Sequence, residues 1–272
     1  MKKLSIYFFI LTIIAACTTS TTSGDTSTAD TLTVASEYIE YNNPPAEGFN
    51  QEGSDLLATL LADKVMLAMG GREAWDKTRY LSWNFFGRRD HVWDKWTGDV
   101  RIEEPANKLI VLMNINTKEG QVQKNGALMT DSADYFLQKG YEWWINDAYW
   151  LVMPFKLKDS GVTLKYLRED TTQSGTRADV ISMSFQEVGV TPENIYEVWI
   201  DTDSKLITQW AYYPDSSSLE PRFITPWKDY SEYNGVLLSG NRGDYALTNI
   251  VVVEEDSIGL LSSFDASISS LR

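Results

Sequence analysis

From Leu81 to Glu255 the chain is written in short apolar segments separated by turn residues, with one interruption. "LSWNFFGRRDHVWDKWTGDVRIEE", "KLIVLMNIN", "QVQKNGALM", "GVTLKYL", "DVISMSFQE", "NIYEVWIDTDSKLITQWAYY", "VLLSGNR" and "YALTNIVVVEE" are rich in β-branched and aromatic residues. Gly87 and Thr97-Gly98-Asp99 break the first of them, and "TDSK" at 202–205 and "NG" at 234–235 are hairpin signals. Hairpin following hairpin requires an antiparallel sheet, because parallel neighbours need long crossovers.

The interruption is "YEWWINDAYWLVMPFKLKD", which with the residues before it carries a different period. Leu137, Tyr141, Trp144, Ala148 and Leu151 recur at alternating intervals of four and three, which predicts a helix from about Ser132 to Val152. Pro154 ends it and Gly140 weakens it in the middle. Trp143, Asp147 and Trp150 form a second stripe about 100° round the same cylinder, and Ile145 and Val152 add to it. A helix apolar on most sides is covered on most sides. It is therefore expected between the sheet and something else, with the Tyr141 to Leu151 stripe on the sheet and Trp143 and Trp150 left to seal a core or line an apolar cavity.

Ahead of the strands, "SDLLATLLADKVMLAMGG" predicts a helix started at Ser54 or Asp55 and stopped at Gly70-Gly71. Leu57, Leu60, Leu61, Val65 and Ala68 are its expected buried face. A short helical turn is expected at "REAWDKT".

The first residues, "MKKLSIYFFILTIIAACTTS", pair two lysines with an apolar run too short for a membrane span of about 20 residues. This is a secretory signal, residues 1–16. "IAAC" resembles a bacterial lipobox, which implies cleavage before Cys17 and lipid on its sulfur and new amino end. Cys17 is the single cysteine, so no disulfide competes for it. Residues 17–53, rich in Thr, Ser, Asp, Asn, Pro and Gly, are expected to be a flexible tether. Residues 54–272 suit one domain. The resemblance to lipoproteins places the chain in a Gram-negative envelope, and Thr18, where Asp would favour the inner membrane in enteric-type sorting, points to the outer membrane. Whether it sits on the periplasmic or the external face stays open. The net charge of -14 argues against nucleic acid and against adsorption to anionic headgroups.

One N-terminal helix, a long sheet of hairpins and a helical insertion in its middle resemble the LolA/LolB-like superfamily of lipoprotein carriers and acceptors. A lipoprotein family of Gram-negative bacteria near that superfamily is similar more closely, through "GGREAWDKTRYLSWNFFGRR", "WTGDVRIE", "WWINDAYWLVMPFKLKDSGVTL" and "VGVTPENIYEVWIDTDSKLITQWAYY". The resemblance implies an α+β fold: a curved antiparallel sheet, an unclosed half-barrel, with helices as a lid over a cavity for acyl chains. Lol-type carriers hold the lid with an arginine on the sheet, and Arg88, Arg89 and Arg101 are candidates by strand position. LolB's protruding apolar loop has no clear counterpart here.

Catalytic chemistry finds little support. His91 is the single histidine and is expected to be structural or exposed. A zinc site with two or three histidines is impossible within the chain, and no nucleophile elbow, phosphate loop or dinucleotide fingerprint occurs. Glu103-Glu104, Glu169-Asp170 and Glu254-Glu255-Asp256 are adjacent acids whose side chains diverge in a strand, so a glycosidase-like pair has no spacing to recommend it. "DTDSK" lacks the spaced oxygens of a calcium loop and is expected to be a tight turn. Asp147, between two tryptophans, needs partners if buried and is expected to anchor the helix to the loop after Pro154.

No enzyme, metal or cofactor is expected. The expected function is an envelope protein, lipid-anchored at Cys17, that binds an acyl chain, lipid or lipoprotein anchor, with a place in lipid or lipoprotein transport. Trp143, Trp144, Trp150, Leu151 and Met153 are the cavity or lid candidates, and Asp147 and Arg101 the polar anchors of the lid. The alternative is a carbohydrate-binding surface lipoprotein with exposed Trp and Tyr as platforms. It requires Trp143 and Trp150 to be exposed and coplanar.

Overall fold

The computed structural model describes residues 42–186, 193–253 and 259–271. The signal expected at 1–16, Cys17 and the part of the expected tether up to residue 41 lie outside the described residues. Residues 42–53, expected as tether, belong to the folded part. Asn43 and Phe49 are buried, and the backbone amides of Ala46, Asn50 and Asp55 donate to carbonyls of Lys158, Val162 and Leu164.

Helix α1 (Leu56–Ala68) and α2 (Arg72–Lys77) come first. The chain then forms β1 (Tyr80–Phe85), β2 (Arg89–Asp94), β3 (Asp99–Glu104), β4 (Leu109–Asn114), β5 (Gly120–Lys124) and β6 (Ala127–Leu128). Helix α3 (Ala133–Val152) follows, continued by a 3₁₀ turn at Met153–Lys156 that carries Pro154. A second run gives β7 (Val162–Thr171), β8 (Arg177–Phe185), β9 (Ile195–Asp201), β10 (Ile207–Tyr213) and β11 (Phe223–Pro226). The last strands are β12 (Lys228–Tyr233), β13 (Val236–Arg242) and β14 (Tyr245–Val253).

The fold is α+β, antiparallel throughout and unclosed, but the strands divide between two sheets instead of one. A nine-stranded sheet has the order β12-β13-β14-β1-β2-β3-β4-β5-β6, and a five-stranded sheet the order β11-β10-β9-β8-β7. The chain passes between them twice, through α3 and through Trp227. Trp227 is buried, lies between Pro226 and Lys228, and donates its amide to the Thr208 carbonyl. The hairpin signals hold: Asn234 and Gly235 both take positive φ between β12 and β13, and Lys205 does so between β9 and β10.

Alternation sorts the nine-stranded sheet. Leu81, Trp83 and Phe85, with Trp93, Val100, Ile102, Val111 and Met113 beside them, enter the main core. On the other face Val92 packs with Leu260 and Ile268 of the C-terminal segment. Helix α3 lies against β4 and β5 of this sheet. Gly140, which costs helix propensity, is there for contact: a Cβ at this position would stand 3.0 Å from Val111 Cγ1 and 3.3 Å from Met113 Sδ.

Helix α1 is rotated from expectation. Its buried face is Ala58, Leu61, Ala62, Val65 and Met66, while Leu57 and Leu60 are exposed. Asp63 fixes this rotation. Its carboxylate accepts from Asn43 at 2.8 Å and pairs with Lys158 at 2.7 Å, so the helix turns that side inward.

Gly140→Val pushes α3 off β4. The expected cost is about 1–3 kcal/mol of overpacking, read as a lower urea midpoint. Gly175→Val, at a turn where nothing lies within 4 Å, tests only its positive φ and should not disturb α3.

Candidate functional site

The middle of α3 is tied to β2 by a buried polar cluster. Asp147 has no solvent exposure. Arg89 grips its carboxylate with two bonds, Nε to Oδ2 at 2.7 Å and Nη2 to Oδ1 at 2.9 Å. His91 Nε2 lies 2.8 Å from Oδ2, and Asn146 Nδ2 donates to Oδ1 at 2.9 Å. An ionised carboxylate only accepts, so His91 donates through Nε2. Its Nδ1 stays buried without a partner among the described residues. The imidazole stacks on Trp83 at 4.7 Å, and the Arg89 guanidinium lies 5.1 Å from the Trp143 ring. Burial alone would raise the Asp147 carboxyl. The hydrogen bonds from His91 and Arg89, and their charge, outweigh it and hold the group below its ordinary value of 3.8.

The C-terminal end of α3 is tied by a second arginine of the same sheet. Arg242, on β13, donates through Nη2 to the Trp150 carbonyl at 2.6 Å. That carbonyl is among the last four of the helix, which have no partner within it. The guanidinium lies 3.4 Å from the Trp227 ring and otherwise bonds Ser239 and the Asn241 carbonyl. Burial pushes its pKa down to about 9, with Tyr230 opposing, so it remains a cation at neutral pH.

Toward the five-stranded sheet α3 presents rings. Tyr149 meets Phe185, Tyr196 and Trp210, and its hydroxyl donates to Met183 Sδ at 3.1 Å. Trp150 meets Trp210 and Phe223. Among the described residues no ion pair joins α3 to this sheet. A cavity of about 280 Å³ opens on this side of the helix. Seven aromatic rings line it: Tyr141, Trp144, Tyr149, Trp150, Phe185, Tyr196 and Trp210. Asn146, Lys156, Asp159, Ser160 and Asn194 supply its polar part. Burial raises the Tyr149 and Tyr196 hydroxyls above their ordinary value of 10.0, so both stay neutral.

The sequence candidates separate in space. Trp144 and Trp150 line the cavity. Trp143 packs under Arg89 instead, and Leu151 and Met153 are fully buried in the main core. Asp147 anchors the helix, but to the sheet and not to the loop after Pro154. Arg101 does not serve α3. It points to the opposite face of the nine-stranded sheet and donates to the carbonyls of Leu260, Ser263 and Ala266, with Glu103 beside it. Residue parity explains this: Arg101 alternates with Val100 and Ile102, which take the core side. The same parity could have chosen Arg89. Arg89, His91 and Trp93 share a face, the large apolar Trp93 marks it as the inner one, and a buried Asp147 needs a cation.

No family model matches the chain, and no curated protein matches it. Among solved structures it is similar to a DUF1329 family protein from Desulfovibrio piger, with 12% identity over 79% of this chain and 99% of that one and a TM-score of 0.40. MucB in complex with MucA(peri) is also similar, with 12% identity over 77% of this chain and 61% of that one and a TM-score of 0.22.

Asp147→Asn leaves Arg89 without its anion, and the expected loss is about 3–5 kcal/mol at neutral pH. The folded carboxyl titrates below 3.8, so its contribution is complete above that pH and disappears as pH falls through the folded value. Urea unfolding across pH should therefore show the two proteins converging in acid.

Proposed function

We propose that this protein binds, without catalysis, one apolar or amphipathic small molecule such as an acyl chain or a compact lipid, in the cavity between α3 and the five-stranded sheet. It does so in the cell envelope, anchored through Cys17, and serves in lipid or lipoprotein transport. The cavity carries the reading. Seven rings with Ile145, Ala148 and Val162 form its larger part, and Asn146, Lys156, Asp159, Ser160 and Asn194 supply polar groups. That division suits a ligand with an apolar body and a polar end. At about 280 Å³ it stands just below the usual size of ligand sites, which run about 300–1,000 Å³. One chain suits this volume, and the several chains of a whole lipoprotein anchor need the walls to part.

Two observations support a binding role over an enzymatic one. His91 is fully buried behind α3 and absent from the cavity wall, so it has no access to a ligand there. Asp147 is committed to Arg89 and His91. No helix of the described residues is long and apolar enough to cross a membrane; attachment in this reading is through the Cys17 lipid. The sugar-platform reading loses its premise, since Trp143 is covered by Arg89 and Trp150 is wedged against Phe86, Trp210 and Phe223.

Protein purified from envelopes should show a bound lipid by native mass spectrometry, and delipidated protein should take up a fluorescent fatty acid. Ile145→Trp, which fills the cavity from the half-buried surface of α3, should lose uptake of about tenfold or more while its unfolding midpoint stays near that of the parent. Uptake unchanged in this variant places the ligand elsewhere.

A further inference from the structure

Helix α1 carries a leucine surface that the fold does not use. Leu56, Leu57, Leu60 and Leu67 are 73, 47, 38 and 59% exposed, although the opposite side of the same helix fills the core. With Lys64 they fall within one arc of about 100°. Four leucines in one arc are a patch, unlike the scattered apolar residues of ordinary surfaces.

Three observations point to lipid as its cover. First, the arc contains no Trp, Tyr or Arg, the residues that anchor protein interfaces, where Leu is under-represented. Second, its one cation, Lys64, is half-buried among the leucines, an arrangement in which an ammonium reaches headgroups while its stem covers apolar surface. Third, the chain enters the fold at this helix: Asn43 donates to Asp63 on α1, on the flank of the arc. From Cys17 to Asn42 the backbone reaches at most about 80–90 Å, so a lipid on Cys17 keeps α1 within that distance of a bilayer.

We propose that the leucine arc of α1 rests on the lipid bilayer that holds Cys17; this stands on the anchoring reading of that residue. Docking there has a consequence for the cavity. Helix α1 packs on the 3₁₀ turn at Met153–Lys156 and on β7. Lys156 and Val162 of those elements line the cavity. A bilayer under α1 would lie beside two of the elements that line the cavity.

The test uses the full lipidated chain in vesicles of phosphatidylethanolamine and phosphatidylglycerol containing a spin-labelled lipid. Acylation blocks Cys17, so a second cysteine takes a bimane label, in Leu60→Cys, in Leu67→Cys or in Leu219→Cys, a control 95% exposed before β11. Labels at 60 and 67 should shift blue and lose emission to the quencher, and the label at 219 should do neither. Equal, unquenched emission at all three positions on vesicle-bound protein overturns the proposal. So does a blue shift at 60 that needs no vesicles and grows with protein concentration, which would assign the arc to a second copy. A chain that carries no acyl groups by mass spectrometry and leaves the vesicles refutes the anchor instead, and the proposal falls with it.

Discussion

The arrangement of this protein depends on one buried contact, the grip of Arg89 on Asp147. A helix with rings on several sides has little intrinsic reason to present one of those ringed sides to a given sheet over another. Apolar contact is not directional; Asp134, Gln138, Glu142 and Asn146 mark the side that points outward, but Tyr141, Trp143, Trp144, Tyr149 and Trp150 spread rings over the remaining sides. A bidentate guanidinium–carboxylate pair is directional. It sets both the rotation of α3 and its height along β2, and His91, held flat against Trp83, adds a second bond to the same carboxylate. Burying these charges is costly in itself, so the pair specifies the arrangement more than it adds stability.

From that contact follows an asymmetry. Both arginines that hold α3, Arg89 in its middle and Arg242 near its end, belong to the nine-stranded sheet. The five-stranded sheet meets the helix through rings and one hydroxyl–sulfur contact. Ring contacts yield to a ligand of similar character, whereas breaking the arginine ties strands buried charge. The cavity lies on the yielding side. In this account α3 is a fixed wall with the nine-stranded sheet behind it, and the five-stranded sheet is the wall that moves to admit a ligand. Two expectations are reversed here: Arg101, the arginine expected to anchor the helix, faces the C-terminal segment, and Tyr141, Trp144 and Ala148, expected on the sheet, line the cavity while Trp143 lies under Arg89.

Much of the fold was legible because its signals are local. The switch from alternation to a four-three rhythm at Leu137 marks α3, and Asn234-Gly235 and the residues around Lys205 mark hairpins. What stayed hidden was set by distant partners. The split into two sheets turns on Trp227, one residue with no turn signal of its own. The rotation of α1 is set by Asp63 meeting Asn43 and Lys158, far away in sequence, so the more hydrophobic leucine stripe lost to one containing alanines. At the candidate site, Asp147 stood out from its aromatic neighbours, but Arg101 and Arg89 looked alike until the inner face of β2 was known. Tyr149 and Tyr196, which form much of the cavity, carry no sequence mark beyond being aromatic.

The claim that joins these parts is that a ligand sits on the side of α3 away from Asp147. Isotope-edited NMR with a uniformly ¹³C-labelled fatty acid tests it directly. The account requires cross-peaks from the ligand to ring protons of Tyr149, Tyr196 and Trp210, with the Arg89 and His91 side-chain resonances unchanged on binding. Cross-peaks to Trp83, Leu151 and Val111, with the Arg89 signals shifting, would mean that the helix lifts from the nine-stranded sheet and would contradict it.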